Sequence, residues 1–473
     1  MGVEDAVDVL VSQLAGRAIL LQPTGCLSIS SGEKNCGKSM RTQSTDTGTT
    51  REVPLHGIHV VAKPIGPVCN LNCDYCFYLE KLALFNSDRQ YRMSDAVLSA
   101  FIANYISSQP SPVVDFVWQG GEPTLLGIDF FRRVVELQRS CAEGKTINNA
   151  LQTNGTLLTD DWCAFLREQN FMVGLSLDGP QEIHDRYRRD PRGKGSFDAV
   201  MRGLKLLQKH GVEYNVMASV ARETAAKPLE IYRFFKDAGV EYIQFVPVVE
   251  RLADEQSARI GLRLAAPAAL DTLETHTQVS DWTVLPEAYG DFLIEVFENW
   301  VQHDVGTIFV MNFEWALNAW IGAPATVCVH AKQCGRSLVI EHDGSLYACD
   351  HCVYPQFRLG NILTDTLPFM VEKSLHTQFG ISKESALPRW CRECEVLAAC
   401  QGGCPKHRFA RTYDDEPGLQ FLCAGYKKLF LHIRKYLRVM AQLLENDLPV
   451  SLVMEAVKGP LVLSINPNTT ERR

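Results

Sequence analysis

Short apolar runs alternate with longer amphipathic segments along the chain from residue 58 onward. The apolar runs are rich in β-branched and aromatic residues, which favours buried strands, and the segments between them repeat apolar positions at helical spacing. Strands are predicted at residues 59–62, 113–118, 149–152, 172–177, 214–220 and 242–246. Helices are predicted at residues 93–107, 130–142, 160–169, 197–210 and 228–238. This alternation predicts an α/β fold with a parallel sheet and right-handed crossovers.

The first part of the chain does not follow this alternation. A short apolar stretch near residues 6–21 is followed by a polar tract at 28–50 that is rich in Ser, Thr, Gly and Lys. Such composition is typical of a linker or disordered segment, so residues 1–52 are predicted to be a flexible N-terminal extension. No apolar run reaches about 18 residues, and the acidic start does not resemble a secretory signal, so no membrane partner is expected.

Composition and charge narrow the class of protein. The chain has 473 residues, of which 46% are hydrophobic, enough for two or three domains with sizeable cores. Its formal net charge of −8 gives no basic surface for nucleic acid, so no nucleic-acid partner is expected. Sixteen cysteines in so long a chain do not indicate a small disulfide-rich secreted domain. A reducing cytoplasmic location is therefore expected.

Three cysteines directly after the first predicted strand form a CxxxCxxC motif: Cys69, Cys73 and Cys76. Three thiolates at this spacing can hold three irons of a [4Fe–4S] cluster and leave the fourth iron open to a ligand. A structural zinc site would need a fourth protein ligand, and none lies nearby in the sequence. The other alternative is three ordinary thiols. The segment is a loop rich in proline, glycine and asparagine, where three closely spaced cysteines are not expected as packing residues. The motif predicts a cluster with an open iron.

Eight further cysteines lie near the carboxyl end: Cys328, Cys334, Cys349, Cys391, Cys394, Cys400, Cys404 and Cys423. Eight thiolates are enough for two fully ligated [4Fe–4S] clusters. The Cys391–Cys394 pair also has the spacing of a zinc knuckle, so zinc remains an alternative for part of this region. Spacing alone does not show which cysteines share a cluster.

Three motifs together identify a family. Tyr75 within the cysteine loop, the sequence GGEP at 120–123 and the sequence SLDGP at 176–180 resemble the radical S-adenosylmethionine (SAM) enzymes. The resemblance implies an open (β/α)6 partial TIM-like barrel, because six strand–helix units are too few for a closed barrel. It also implies that the open iron binds SAM. An electron from the cluster then cleaves SAM to a 5′-deoxyadenosyl radical.

The same resemblance implies a set of SAM contacts near the strand ends. These are Tyr75, Gly121, Glu122, Asn154, Ser176 and Arg188, with Arg188 expected to bind the SAM carboxylate. Each has an alternative role as an ordinary turn or surface residue. For Asn154 and Glu122 the sequence does not favour either role.

The carboxyl-terminal cysteines resemble the SPASM domain of radical SAM enzymes, a small Cys-rich domain that binds two auxiliary clusters. By that resemblance the ligands interleave. Cys328, Cys334, Cys349 and Cys404 would hold the first auxiliary cluster, and Cys391, Cys394, Cys400 and Cys423 the second. With the barrel cluster, this implies three [4Fe–4S] clusters and SAM as cofactors. The implied domains are 53–310 for the barrel, 311–440 for the SPASM domain, and 441–473 for a C-terminal helix and tail.

The segment at 347–354 resembles the anaerobic sulfatase-maturating enzymes, in which an Asp follows the third ligand of the first auxiliary cluster; here that residue is Asp350. The resemblance implies oxidation of a Cys or Ser side chain in an unfolded sulfatase to Cα-formylglycine. Asp350 would be the catalytic base that removes the thiol or hydroxyl proton. The partners implied are an unfolded sulfatase polypeptide and an electron donor such as flavodoxin or ferredoxin.

Two other functions fit part of the sequence. Another SPASM enzyme could form thioether or carbon–carbon crosslinks on a peptide, but such enzymes often carry an N-terminal peptide-binding domain, for which the first fifty residues are too short and polar. A non-catalytic iron–sulfur electron carrier would normally saturate its clusters, which the three-cysteine motif does not.

Overall fold

The computed structural model describes residues 57–85, 91–267, 277–335 and 337–459. The predicted N-terminal extension lies outside the described residues, as does the predicted tail beyond residue 459. Within the described part of the chain, no helix is both long and apolar enough to cross a membrane.

Six parallel strands form the centre of the molecule, and all six were predicted. They pair in chain order: β1 (His59–Lys63), β2 (Val113–Trp118), β3 (Thr146–Thr153), β4 (Phe171–Ser176), β5 (Tyr214–Val220) and β6 (Tyr242–Pro247). The prediction of an open α/β partial barrel is confirmed. The largest difference from the predicted bounds is in β3, which begins at Thr146, three residues before the predicted start at residue 149.

Helices connect these strands and cover one face of the sheet. They are α1 (Asp95–Ser107), α2 (Ile128–Cys141), α3 (Asp160–Glu168), α4 (Gln181–Tyr187), α5 (Phe197–His210) and α6 (Pro228–Asp237). Side-chain caps fix two of the starts, because Ser94 accepts a hydrogen bond from Val97 N and Thr159 from Trp162 N. The helix α4 was not predicted.

The sheet extends beyond the six predicted strands at both edges. Two helices, α7 (Glu255–Arg259) and α8 (Pro286–His303), precede the short strand β7 (Phe309–Val310), which pairs with β6. At the other edge β8 (Ser337–Glu341) pairs in parallel with β1, and β9 (Ser345–Tyr347) and β10 (Arg358–Asn361) follow in antiparallel order. The sheet therefore runs across the predicted domain boundary at residues 310 and 311, which stays a prediction.

The cysteine-rich region is otherwise made of short elements and one long helix. Its elements are α9 (Met311–Trp320), α10 (Leu367–Val371), α11 (Ser374–Ser385), α12 (Arg389–Arg392), α13 (Leu397–Cys400), the hairpin of β11 (Ala410–Arg411) and β12 (Pro417–Leu419), α14 (Cys423–Glu445) and α15 (Val453–Lys458). The helix α14 crosses α8 closely at Gly425, where an added Cβ would lie 2.0 Å from the Pro286 carbonyl oxygen.

The two faces of the sheet carry different cores. Aromatic side chains including Phe101, Phe116 and Trp118 fill the space between sheet and helices. A smaller cluster, which includes Val61, Val117, Ala150, Met172, Val339 and Tyr78, belongs to the opposite, inner face. Above this cluster the inner face opens into a cavity at the carboxyl ends of the strands, where parallel barrels place their active sites.

Candidate active site and cluster ligands

The cavity at the strand ends has a volume of about 470 Å³, and residues of both the barrel and the cysteine-rich region line it. The barrel contributes Cys73, Cys76 and Arg188, and the cysteine-rich region contributes Cys349 and Asp350. Residues far apart in the sequence, and predicted to act in one reaction, therefore border one space.

The three-cysteine loop folds so that its three thiols lie close to one another. Leu71 N donates a hydrogen bond to Cys69 Sγ at 3.3 Å, and Asn154 Nδ2 donates to the same sulfur at 3.8 Å. The pKa of Cys69 and of Cys73 is raised to about 12, chiefly by burial and in smaller part by neighbouring thiols. Buried thiols of this kind ionise readily only beside strong positive charge, which an iron cluster supplies, so the donor set fits the predicted cluster.

The GGEP segment holds this loop in place through its backbone. Gly121 N donates to Gly66 O at 2.8 Å, and Glu122 N donates to Val68 O at 2.9 Å. A Cβ at Gly121 would lie 1.9 Å from Val68 O, so only glycine allows the end of β2 to approach the loop this closely.

The side chain of Glu122 joins the ends of β2 and β3. Its carboxylate accepts hydrogen bonds from the hydroxyls of Thr124 and Thr153, at 2.6 and 2.7 Å, and from Asn154 N at 2.7 Å. Burial raises its pKa, and these hydrogen bonds oppose the rise. Both oxygens bind protein groups, so a SAM contact through this carboxylate stays a prediction without direct support.

Two other predicted SAM contacts also lie at strand ends. Asn154 Nδ2 donates to Asn70 Oδ1 at 2.9 Å, which joins the end of β3 to the cysteine loop. Ser176 ends β4, and its hydroxyl accepts a hydrogen bond from Gln152 Nε2 at 3.0 Å. Both residues are near the predicted cluster or on the inner face, and their contact with SAM stays a prediction.

Arg188 borders the cavity, held by a buried carboxylate that sequence analysis did not select. Arg188 Nε donates to Asp178 Oδ2 at 2.8 Å, and the Tyr75 hydroxyl donates to the same oxygen at 2.5 Å. Burial opposes ionisation of Asp178, but Arg188 and Tyr75 hold its pKa below the usual value. The Asp in the SLDGP motif was the available signal, and both of its hydrogen-bond partners, Tyr75 and Arg188, were selected.

The carboxyl-terminal cysteines fall into two groups that match the implied interleaving. Burial, then the neighbouring thiols of Cys328, Cys404 and Cys349, raise the pKa of Cys334 well above its usual value. Similarly, burial raises the pKa of Cys400 to about 12, with further contributions that include Cys423, Cys391 and Cys394. All four members of the first group line the cavity, and none of the second group does.

Two buried cations lie beside these thiols. Lys383 Nζ donates to backbone carbonyls of the segment after Cys328, including Val329 O at 3.1 Å, and Arg408 Nε donates to Gly402 O at 2.8 Å. Arg408 interacts electrostatically with thiols of both groups, including Cys404 and Cys400. Among the described residues no three Cys, His, Asp or Glu side chains converge as ligands of a single metal ion.

Asp350 is paired with a lysine from the first barrel strand. Lys63 Nζ lies 2.5 Å from Asp350 Oδ1, and the two side chains are only 1% and 3% exposed. The same ammonium lies 4.0 Å from the centre of the Tyr78 ring, and the Tyr78 hydroxyl donates to Glu341. Sequence analysis missed Lys63, because a lysine at a strand end gives no sign of its partner.

A second ion pair connects the two regions across the cavity. Lys406 Nζ lies 2.5 Å from Glu250 Oε1, with both side chains about one tenth exposed, and 4.6 Å from the centre of the Phe77 ring. His351 packs against the same ring at 5.1 Å, and burial, then nearby lysines, lower its pKa well below the usual value.

Known proteins resemble the chain over most of its length. Residues 64–235 match the radical SAM superfamily, and residues 328–395 match the SPASM iron–sulfur cluster-binding domain. A serine-type anaerobic sulfatase-maturating enzyme of Bacteroides thetaiotaomicron is 46% identical over 85% of this chain and 95% of its own length. A cysteine-type anaerobic sulfatase-maturating enzyme of Clostridium perfringens is 31% identical over 79% of this chain and 95% of its own length.

A solved structure of anSMEcpe with bound AdoMet and the Cp18Cys peptide has a TM-score of 0.70 and 30% identity, over 81% of this chain and 98% of that one. These findings confirm the predicted cofactors, which are SAM and three iron–sulfur clusters, one in the barrel and two auxiliary. Identity at this level over nearly the whole of these relatives shows that the chain belongs to the anaerobic sulfatase-maturating enzymes of the radical SAM superfamily.

Proposed function

We propose that this chain oxidises a seryl or cysteinyl side chain of an unfolded sulfatase to Cα-formylglycine. The observation that carries the proposal is the shared cavity. Cys73 and Cys76 of the barrel loop, Asp350, and the first group of auxiliary cysteines all border it. A side chain inserted there would meet a hydrogen-abstracting group, a carboxylate and an electron acceptor together.

The proposed ligands follow the three groups of thiols. Cys69, Cys73 and Cys76 would hold the cluster that binds SAM, and when bound these two cofactors supply a 5′-deoxyadenosyl radical that removes a hydrogen atom. Asp178 orients Arg188, whose Nη2 donates to Ser219 Oγ at 3.4 Å at the cavity wall. This guanidinium suits the SAM carboxylate.

The auxiliary ligands are proposed as the two groups that the structure forms. Cys328, Cys334, Cys349 and Cys404 would hold the first cluster at the cavity wall. Cys391, Cys394, Cys400 and Cys423 would hold the second, away from the cavity. When bound, these clusters supply acceptors for the electron that the oxidation releases.

Asp350 is proposed to accept the proton of the substrate hydroxyl or thiol. Formation of the aldehyde removes two electrons and two protons from a serine side chain; for cysteine, water then replaces sulfur and hydrogen sulfide leaves. Asp350 is buried and borders the cavity. A carboxylate positioned in this way contributes about a hundredfold or more to such a step.

The substrate is proposed to bind as an extended peptide, because a side chain buried in a folded sulfatase could not enter an enclosed cavity. The similar enzymes include both serine-type and cysteine-type members. The serine-type relative is the more similar at 46% identity, so we propose serine peptides as the first substrates to test.

An electron donor is needed to reduce the barrel cluster, and we propose a flavodoxin or ferredoxin for this role. We further propose that the protein works in the cytoplasm, where thiols stay reduced. Cys69, Cys73 and Cys76 carry no disulfide, which suits that setting.

The test is anaerobic incubation of the reconstituted protein with SAM, a reductant and two peptides that differ only in a seryl or cysteinyl target. Mass spectrometry should show an aldehyde residue in at least one peptide, together with 5′-deoxyadenosine. A peptide with alanine at the target position should give no aldehyde. Formation of a thioether or carbon–carbon crosslink instead would favour the other class of SPASM enzyme and contradict the proposal.

Prefolded sulfatase that lacks formylglycine is the control for the extended peptide. Modification of the folded protein as fast as the peptide would contradict binding of an unfolded segment.

A further inference from the structure

We propose that Lys63 is a positioning residue that directs the Asp350 carboxylate toward the substrate. The first strand of the barrel would then determine the orientation of a group that the cysteine-rich region carries. The inference rests on the proposed function, in which Asp350 accepts the substrate proton.

The contact itself is the first argument. Lys63 Nζ lies 2.5 Å from Asp350 Oδ1, and the exposed fractions of the two side chains are 1% and 3%. No other ion pair of Asp350 is present among the described residues. Each charge is therefore compensated by the other, and separating them inside the protein would leave a buried charge without a partner. The carboxylate has little freedom to turn away from Lys63.

The second argument is how Lys63 itself is fixed. It is the last residue of β1, where it is the register partner of Glu341 in β8. The Tyr78 hydroxyl donates to Glu341, and the Lys63 ammonium lies 4.0 Å from the centre of the Tyr78 ring. The backbone position, the ring and the carboxylate together restrict the ammonium to one place.

The third argument concerns what the cysteine-rich region can fix by itself. Asp350 follows Cys349 and begins a short 3-10 helix, and no hydrogen bond from that helix orients its buried Oδ1 atom. The backbone therefore places the Cα atom of Asp350, whereas the direction of its carboxylate depends on Lys63. A displacement of about 1 Å at a catalytic group can cost about a hundredfold in rate.

The test compares Lys63→Met, Asp350→Asn and the double variant in the reconstituted enzyme with SAM and the sulfatase peptide. We expect Lys63→Met to lower formylglycine formation by about 10- to 100-fold, while iron content and cleavage of SAM stay within about twofold of wild type. The double variant should be no slower than Asp350→Asn alone, because the pair acts as one unit.

A peptide deuterated at Cβ provides a measurement that a merely structural role would not change. In Lys63→Met, 5′-deoxyadenosine should still gain deuterium, since hydrogen abstraction does not need the base, but less aldehyde should form per molecule of 5′-deoxyadenosine. Lys63→Arg keeps the positive charge and should retain at least tenfold more aldehyde than Lys63→Met. An equal loss in both variants would contradict a role for the charge.

The control is Lys236→Met, because Lys236 Nζ pairs with Asp304 at 2.7 Å, the Asp304 side chain is 8% exposed, and neither residue lines the cavity. This variant should keep the wild-type ratio of aldehyde to 5′-deoxyadenosine. Multiplicative losses in the Lys63 and Asp350 double variant, or loss of iron in Lys63→Met, would overturn the inference. Absence of aldehyde from the wild type would instead refute the proposed function.

Discussion

Two of the ion pairs beside the cavity differ in what they connect. Asp178 and Arg188 both belong to the barrel, close together in sequence, and they lie 2.8 Å apart. Lys63 and Asp350 are separated by 287 positions in the sequence, and Lys63 Nζ lies 2.5 Å from Asp350 Oδ1. The first pair is built into one motif of the SAM-binding half. The second exists only when the cysteine-rich region has joined the sheet.

The difference separates two tasks of the site. The Asp178–Arg188 pair also binds Tyr75, so it supports the part of the cavity where SAM is proposed to bind. In the Lys63–Asp350 pair, Asp350 directly follows Cys349, a proposed ligand of the first auxiliary cluster. Damage to the first pair should affect every step, whereas damage to the second should affect only the steps after the radical has formed.

The largest effect is expected from Asp350→Asn. Formylglycine formation should fall by about a hundredfold or more, because the proton acceptor is lost while the shape of the side chain is kept. Iron content and cleavage of SAM to 5′-deoxyadenosine should remain, and all three quantities can be measured on the same samples. Aldehyde formation near the wild-type rate would remove Asp350 from the mechanism. Cys349→Ala is the contrasting variant, since it should lower the iron content.

Asp178→Asn should lower the free energy of unfolding and slow both cleavage of SAM and formation of aldehyde. Arg188 would remain buried without its carboxylate, which typically costs about 3–5 kcal/mol in the free energy of unfolding. Cleavage of SAM and formation of aldehyde should fall together. Urea unfolding under anaerobic conditions measures the first effect. Asp160→Asn is the control, since Asp160 is exposed and pairs with Lys209 and His210 at the surface, and it should leave the free energy of unfolding nearly unchanged.

Gly121→Ala tests whether the barrel half depends on a close backbone approach. The added Cβ would lie 1.9 Å from Val68 O, so the cysteine loop must shift. We expect loss of up to about four of about twelve irons, the amount that replacing Cys69, Cys73 and Cys76 by alanine should remove. Gly380→Ala is the control, because its nearest atom would be 3.8 Å away. Full iron content in Gly121→Ala would show that the loop tolerates the shift.

The smallest effect is expected from Arg408→Met. Its guanidinium interacts with thiols of both auxiliary groups, so its loss should lower both reduction potentials, because reduction adds negative charge. The change should be about 40–170 mV for a one-electron couple if the charge is worth ~1–4 kcal/mol. Redox titration followed by electron paramagnetic resonance measures it. Arg411→Met, at a surface pair with Asp415, should leave both potentials unchanged.

Much of the barrel could be predicted from sequence because its signals are local. Apolar runs identified all six central strands, and the GGEP and SLDGP motifs lie at strand ends as expected. The strand β8 could not be assigned in this way. Its five residues are all buried and resemble any other short apolar run, and pairing with β1 depends on the whole fold.

The candidate site shows the same division. The family resemblance implied two groups of auxiliary thiols, and the structure brings the thiols together in these groups, while their role as cluster ligands stays a prediction. Partners of charged residues were not predictable, because a sequence gives the charge of Lys63 or Glu250 but not what lies opposite. The role of Glu122 was open for the same reason, and its buried hydrogen bonds to Thr124, Thr153 and Asn154 show a structural function.

The pairing of β1 with β8 also has a consequence for synthesis on the ribosome. One edge of β1 has no strand to pair with until residues 337–341 have emerged, although β1 itself is made near the beginning of the barrel. At about 5–20 residues per second, the delay is on the order of tens of seconds. During that time β1 offers an unsatisfied strand edge, which other chains can pair with. The nascent protein should therefore depend on chaperones more than its finished fold indicates.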